Sequence, residues 1–178
     1  MGIDNLEEFL KKKKKSMEQN KISWEEEKQK WMEQIETFYK QLQSFLNPLQ
    51  NKGLITIEFE EMIIQEEYFG EYSTKKLNVT FPDQRVVIEP IGNNIIGAMG
   101  RIDMIGKTGS LSFLLVDEEA DGPKITVDYG NRVLEASGKY KNRQIVYVWK
   151  IVTPPPNVKY IQLNDDSFSD ALLGVIDE

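Results

Sequence analysis

Apolar positions recur at helical spacing as far as Lys52 and alternate with polar ones from Gly53 onward. The first part predicts a helical arm over residues 1–52, made of two helices at about 4–19 and 23–47. Asp4 and Glu7 have the spacing of a capping box, and Ile3, Leu6, Phe9 and Leu10 begin an apolar stripe. Ser23 with Glu26 repeats that box, Ile22 stands where a hydrophobic staple would, and Glu25–Glu27 put negative charge in the first turn. Pro48 marks the expected end. Within the second helix Trp24, Trp31, Phe38 and Phe45 fall at one heptad position, with Ile35, Leu42 and Leu49 at its partner and Lys28 as the exception. Met32, Tyr39 and Leu46 widen the stripe beyond a two-stranded seam. Such a face either packs over the sheet of its own domain or forms an interface, where Trp and Tyr serve as anchors. The interface expectation rests on Trp24, Trp31, Ile35, Phe38, Leu42 and Phe45.

From residue 53 to 178 the pattern predicts a β-rich domain. Ile55, Ile57 and Phe59 alternate with Thr56, Glu58 and Glu60, and Leu77, Val79 and Phe81 with Asn78 and Thr80. Further strands are expected at Arg85–Glu89, Ile95–Ile105, Ser110–Val116, Lys124–Tyr129, Arg132–Ala136, Gln144–Val152 and Val158–Leu163. Turn formers separate them, and no strand is separated from the next by a helix-sized segment, so antiparallel pairing is expected, in a meander, sandwich or partly open barrel. Gln144–Val152 is apolar on both faces, interrupted by Lys150, and reads as a central strand. Thr153-Pro154-Pro155-Pro156 is a stiff connector. Asn164 or Asp165 then caps a short helix over 165–176 with Phe168, Leu172, Leu173 and Ile176 on one face. The fold class is therefore α+β.

Composition removes several chemistries. The 178 residues include no cysteine and no histidine, which excludes disulfides, thiolate chemistry, Cys-based zinc sites and histidine-dependent catalysis. Net charge is −7, and it is uneven: residues 1–52 carry ten lysines against nine acids, the remainder twelve basic side chains against twenty acidic. An acidic body repels nucleic acid and suits a basic partner. The run Lys11–Lys15 is the local exception, and reads as a solvated face. No apolar stretch is long enough to span a membrane, Glu7 and Glu8 interrupt any signal-peptide core, and Leu6 stands where a myristoylation motif needs Ser or Thr. These features point to a cytoplasmic chain.

Four features invite chemistry. Gly100–Thr108 resembles a phosphate loop, but five residues separate Gly100 from Gly106-Lys107-Thr108 and a strand follows where a helix is required. Asp117, Glu119, Asp121 and Asp128 fall near the ligand positions of a calcium loop, with Pro123 and the strand-like flanks as departures; they form a candidate weak cation site. Glu58 and Glu60 lie roughly 7 Å apart on one strand face, a spacing also ordinary for the wet side of a sheet. Arg101 and Asp103 share one face of a strand and would need partners if buried. No cofactor is expected.

Gly100-Arg101-Ile102-Asp103, Leu114-Leu115-Val116-Asp117, Trp149-Lys150-Ile151 and Thr153-Pro154-Pro155-Pro156, closed by Phe168, Ala171 and Leu172, resemble a group of uncharacterised bacterial proteins over about residues 95–178. The resemblance implies a bacterial origin and brings no functional residue. The leading expectation is a non-catalytic module that binds a protein partner or forms a homo-oligomer. The alternatives are a small acidic immunity, antitoxin or defence accessory protein that neutralises a basic partner, and a carboxylate-based enzyme or small-ligand-binding barrel.

Overall fold

The computed structural model describes residues 2–93, 98–124, 126–135 and 137–177. The expected helical arm is one helix, α1 (Ile3–Asn51), of 49 residues, about 73 Å long. The break expected between residues 19 and 23 is not there. Nothing in Met17–Ser23 forbids helix, since the segment holds no Gly or Pro, and Ser23 continues the ladder instead of capping it. Pro48 lies inside the last turn, and the chain leaves the helix through Gly53 at φ 71°.

The heptad position of Trp24 runs through the whole helix: Ile3, Leu10, Met17, Trp24, Trp31, Phe38 and Phe45 are spaced seven apart. Only the second half of that row meets the body. Trp31, Ile35, Phe38, Leu42 and Leu46 are buried, whereas residues 2–26 are all exposed.

The body is a seven-stranded antiparallel sheet in the order β1 (Thr56–Glu66), β2 (Gly70–Thr80), β3 (Arg85–Gly92), β4 (Arg101–Ile105), β5 (Ser110–Asp117), β9 (Tyr147–Val152) and β10 (Tyr160–Gln162). Between β5 and β9 the chain forms a small three-stranded sheet, β6 (Val127–Asp128), β7 (Val133–Leu134) and β8 (Tyr140–Lys141). Among the described residues β1 and β10 are the open edges, so the large sheet is a meander and not a closed barrel.

Alternation fixes which side chains face α1. Leu77, Ile88 and Met104 form one cross-strand row, as do Ile102, Phe113 and Ile151, and all six are buried. Phe38 packs against Phe113 and Trp149, with ring centroids 5.0 Å apart in both pairs. The second helix, α2 (Asp165–Ile176), has the expected bounds. Asn164 caps it in a reciprocal box with Ser167, and Phe168 reaches Phe45 of α1.

Several strands differ from expectation. β1 and β2 are eleven residues each, joined at Glu67–Phe69, although Gly70 is the only strong turn former there. The expected strands at Lys124–Tyr129 and Arg132–Ala136 shrink to two residues each, with Ile125 and Ala136 outside the described residues. Ile95 and Ile96, the expected start of β4, are also outside them. Val158–Leu163 shortens to Tyr160–Gln162, and Gln144–Val152 pairs only from Tyr147. β9 is interior, one place from the edge.

Candidate functional site

Two places collect side chains able to engage another molecule: the projecting half of α1, and a cavity where the two sheets meet. The first follows from helix geometry. Ile3, Leu6, Leu10, Met17 and Trp24 follow one another at spacings of three, four and seven, so they line one face. Ile3 is 79% exposed and Met17 63%. Trp24, at 39%, is the hinge between the two halves: its ring stacks on Tyr68 at 4.5 Å and meets Phe69 edge-on at 6.3 Å, both at the β1–β2 turn. Before Trp24 the helix projects for about 30 Å. Glu7 and Glu8 pair with Lys11 and Lys12 along the helix, at 2.6 Å and 3.0 Å.

The interface expected on the aromatic stripe is therefore displaced. Trp31, Ile35, Phe38 and Leu42 are core residues of this chain, and Phe45 is partly buried on Phe168. The stripe meets its own sheet because Trp31 also satisfies its polar atom there. Its Nε1–H donates to Tyr72 Oη (2.8 Å), and that hydroxyl donates to Glu66 Oε2 (2.6 Å). Burial raises the Tyr72 hydroxyl above its ordinary pKa, with the Glu66 contact adding to the effect. Of the six expected residues, Trp24 alone is exposed.

The second place is a cavity of about 440 Å³ between the end of β5 and the small sheet. Asp117, Glu119 and Arg143 line it, with Lys141, Tyr147 and Tyr160 around them. Arg143 grips Asp117 with both terminal nitrogens, at 3.0 Å and 2.5 Å, and its Nε lies 3.1 Å from Glu119. Burial pushes the Asp117 carboxyl up, but Arg143 and the Glu119 N–H outweigh it and hold that carboxyl below its usual range. Behind it, the nine-tenths buried Lys150 donates to the carbonyls of Glu118 and Ala120 at 2.7 Å and 2.6 Å.

That arrangement corrects the expected cation site. Asp117 and Glu119 are already answered by Arg143, Asp121 faces Lys124 at 3.7 Å, and Asp128 accepts from the Gly130 N–H. Among the described residues no cluster of acidic side chains is placed to hold a metal. The four carboxylates are near in sequence but their partners differ: Asp117 and Glu119 share Arg143, Asp121 faces Lys124 and Asp128 takes a backbone N–H, while Lys150 pins the loop through the Glu118 and Ala120 carbonyls.

Arg101 and Asp103 find each other: Nε to Oδ1 is 2.7 Å, Nη2 to Oδ2 is 2.8 Å, and Ser112 donates to Oδ1. They stand on the half-exposed face of β4, as a closed ion pair. The phosphate-loop lookalike is the β4–β5 hairpin. Its turn docks α2, with the Thr108 N–H donating to the Val175 carbonyl, and a Cβ on Gly106 would lie 2.2 Å from that oxygen. Glu60 accepts from Asn78 and lies 3.6 Å from Lys76, and the Asn78 bond holds its carboxyl low.

The sequence signal for this face is the continuation of the Trp24 heptad row back to Ile3, which a break expected between residues 19 and 23 conceals. Among the described residues no helix is long and apolar enough to cross a membrane. Comparison with known proteins identifies no family: no family model, curated protein or solved structure matches the chain.

Proposed function

We propose that this chain is a non-catalytic interaction module whose contact surface is the projecting half of α1, residues 3–24. The observation that carries it is the uncovered apolar row Ile3, Leu6, Leu10 and Met17, aligned with a row that packs firmly once it meets the sheet. An isolated helix of about twenty residues, much of it lysine and glutamate, is marginal in water. Its apolar face gains stability only when something covers it, and exposed apolar strips of this kind mark contact sites. The charged cavity is a structural clamp in this reading, since its carboxylates and cations neutralise one another at hydrogen-bond distance.

The test is affinity capture from cells with the whole chain and with a Leu6→Asp/Leu10→Asp/Met17→Asp variant. These positions are exposed, so the body keeps its fold, checked by circular dichroism. Partners or copies recovered with the native chain are expected to disappear with the variant. An identical set from both would sink the proposal. A second reading, the neutraliser of a basic partner, is favoured by one observation: residues 25–178 carry 25 acidic and 16 basic side chains. It requires capture that survives the arm variant and weakens with salt.

A further inference from the structure

Resting on the arm as the contact surface, we propose that its partner is a second copy of this chain, bound as an antiparallel twofold pair of α1 helices. In that pair each arm lies along the body half of the other helix. Three observations select this occupant.

The first is charge. Residues 2–24 carry six lysines and four acids, whereas residues 25–178 have an excess of nine acids, so the arm and the body of this one chain attract. A rigid helix cannot fold back on its own body. The body within reach of the arm is therefore that of another copy.

The second is register. A parallel pair stacks Lys11–Lys15 on the same run, and so does an antiparallel pair of arm on arm. An antiparallel pair in which facing residue numbers add to about 49 does not. It brings Met17 to Met32, Leu10 over the largely buried Tyr39, and Lys13 to Glu36, which within its own chain pairs with Lys40 at 3.5 Å. Trp24 meets Glu25 near the twofold axis, where the arm becomes the body.

The third is a seat. A groove of about 610 Å³ runs along α1 beside the β1–β2 hairpin; Met32, Tyr39 and Phe59 line it, with three acids, Glu33, Glu36 and Glu61, against two lysines, Lys40 and Lys75. Met32 and Tyr39, the two residues that the register assigns to the arm's Met17 and Leu10, both line it. Twofold symmetry fills the groove twice and covers both arms at once, which a specific interface of about 1,200 Å² or more requires of a strip this narrow.

The absence of cysteine gives a clean experiment. Met17→Cys and Met32→Cys are placed in one full-length chain. The two positions face each other across the proposed pair but stand fifteen residues apart on their own helix, so they lie about 22 Å from each other within a copy and any disulfide joins two copies. Mild oxidation is expected to give a covalent dimer, with much less from either single variant. In sedimentation the native chain is expected to dimerise, Leu10→Asp/Met17→Asp to raise the dissociation constant about thirtyfold or more, and Lys13→Glu to weaken the dimer unless Glu36→Lys accompanies it. A chain that is monomeric throughout overturns the proposal, as does a dimer indifferent to these changes. Binding of the monomer to phosphatidylglycerol vesicles through the arm would replace the second copy with an anionic lipid surface. A monomer that still captures another protein through the arm removes the self-association and leaves the arm in its role.

Discussion

Single residues decide how closely α1 can lie on the sheet. Gly100 is the tightest of these places, because a Cβ there would sit 2.2 Å from the Trp31 ring. Trp31 is fixed from its other side by Tyr72 and cannot retreat without breaking that bond. Gly100→Ala is therefore expected to destabilise the fold by about 1–3 kcal/mol, as overpacking does. Urea denaturation measures it, and an unchanged midpoint would refute the contact. A second residue-scale consequence lies at Asp117. Its carboxyl is held low when folded, so its charge favours the folded state above the ordinary carboxylate pKa of about 4, and that contribution fades as pH falls through the lower folded value. Stability of the native chain should fall with acid below about pH 4 more steeply than that of Asp117→Asn. Parallel curves would show that the Arg143 grip does not act in solution.

At the scale of elements, long regular patterns were legible and short ones were not. The bounds of α2 were readable because Asn164, one of two expected caps, caps it, but its inner face was only half legible: Phe168 and Leu172 are buried as expected, whereas Leu173 is exposed and Val175 takes its place. The aromatic stripe was readable as a face that packs, and its partner proved to be the chain's own sheet. Of the six expected interface residues, Trp24 alone is exposed, and the rest of the exposed row was hidden because the capping signals at Ser23 suggested a helix start where the helix merely continues. Local signals of that kind cost about 1 kcal/mol and lose to an uninterrupted ladder of helix formers. The small sheet was invisible for a different reason: strands of two residues carry no period at all. β1 is an eleven-residue open edge, and Glu58, Glu60 and Glu61 stand along it where an apolar edge would recruit other strands. Glu58→Val/Glu60→Val is expected to aggregate on mild warming, followed by light scattering, while the native chain stays clear; equal scattering from both would show that these charges do not guard the edge.

Over the whole molecule, stability is divided along one helix. From Trp31 to Leu46 α1 is the spine of the core, held by Phe113, Trp149 and the Tyr39 hydroxyl on the Lys75 carbonyl. From Ile3 to Ser16 the same helix rests on its own backbone ladder and surface ion pairs such as Glu7–Lys11, worth a few tenths of a kcal/mol each, and Met17, Asn20 and Lys21 then border the β1–β2 turn. Such a segment opens locally at a small fraction of the global free energy. Amide hydrogen exchange should then show two regimes in one continuous helix, rapid before Trp24 and slow after Trp31, at protein concentrations too low for association. Raising the concentration separates two causes of any protection in the arm. If a second copy covers the Ile3–Met17 face, exchange there slows with concentration while the amides of Phe38 and Leu42 stay as they were. Protection that is high at every dilution would mean that the arm is stable unaided, and its apolar row would no longer call for a cover.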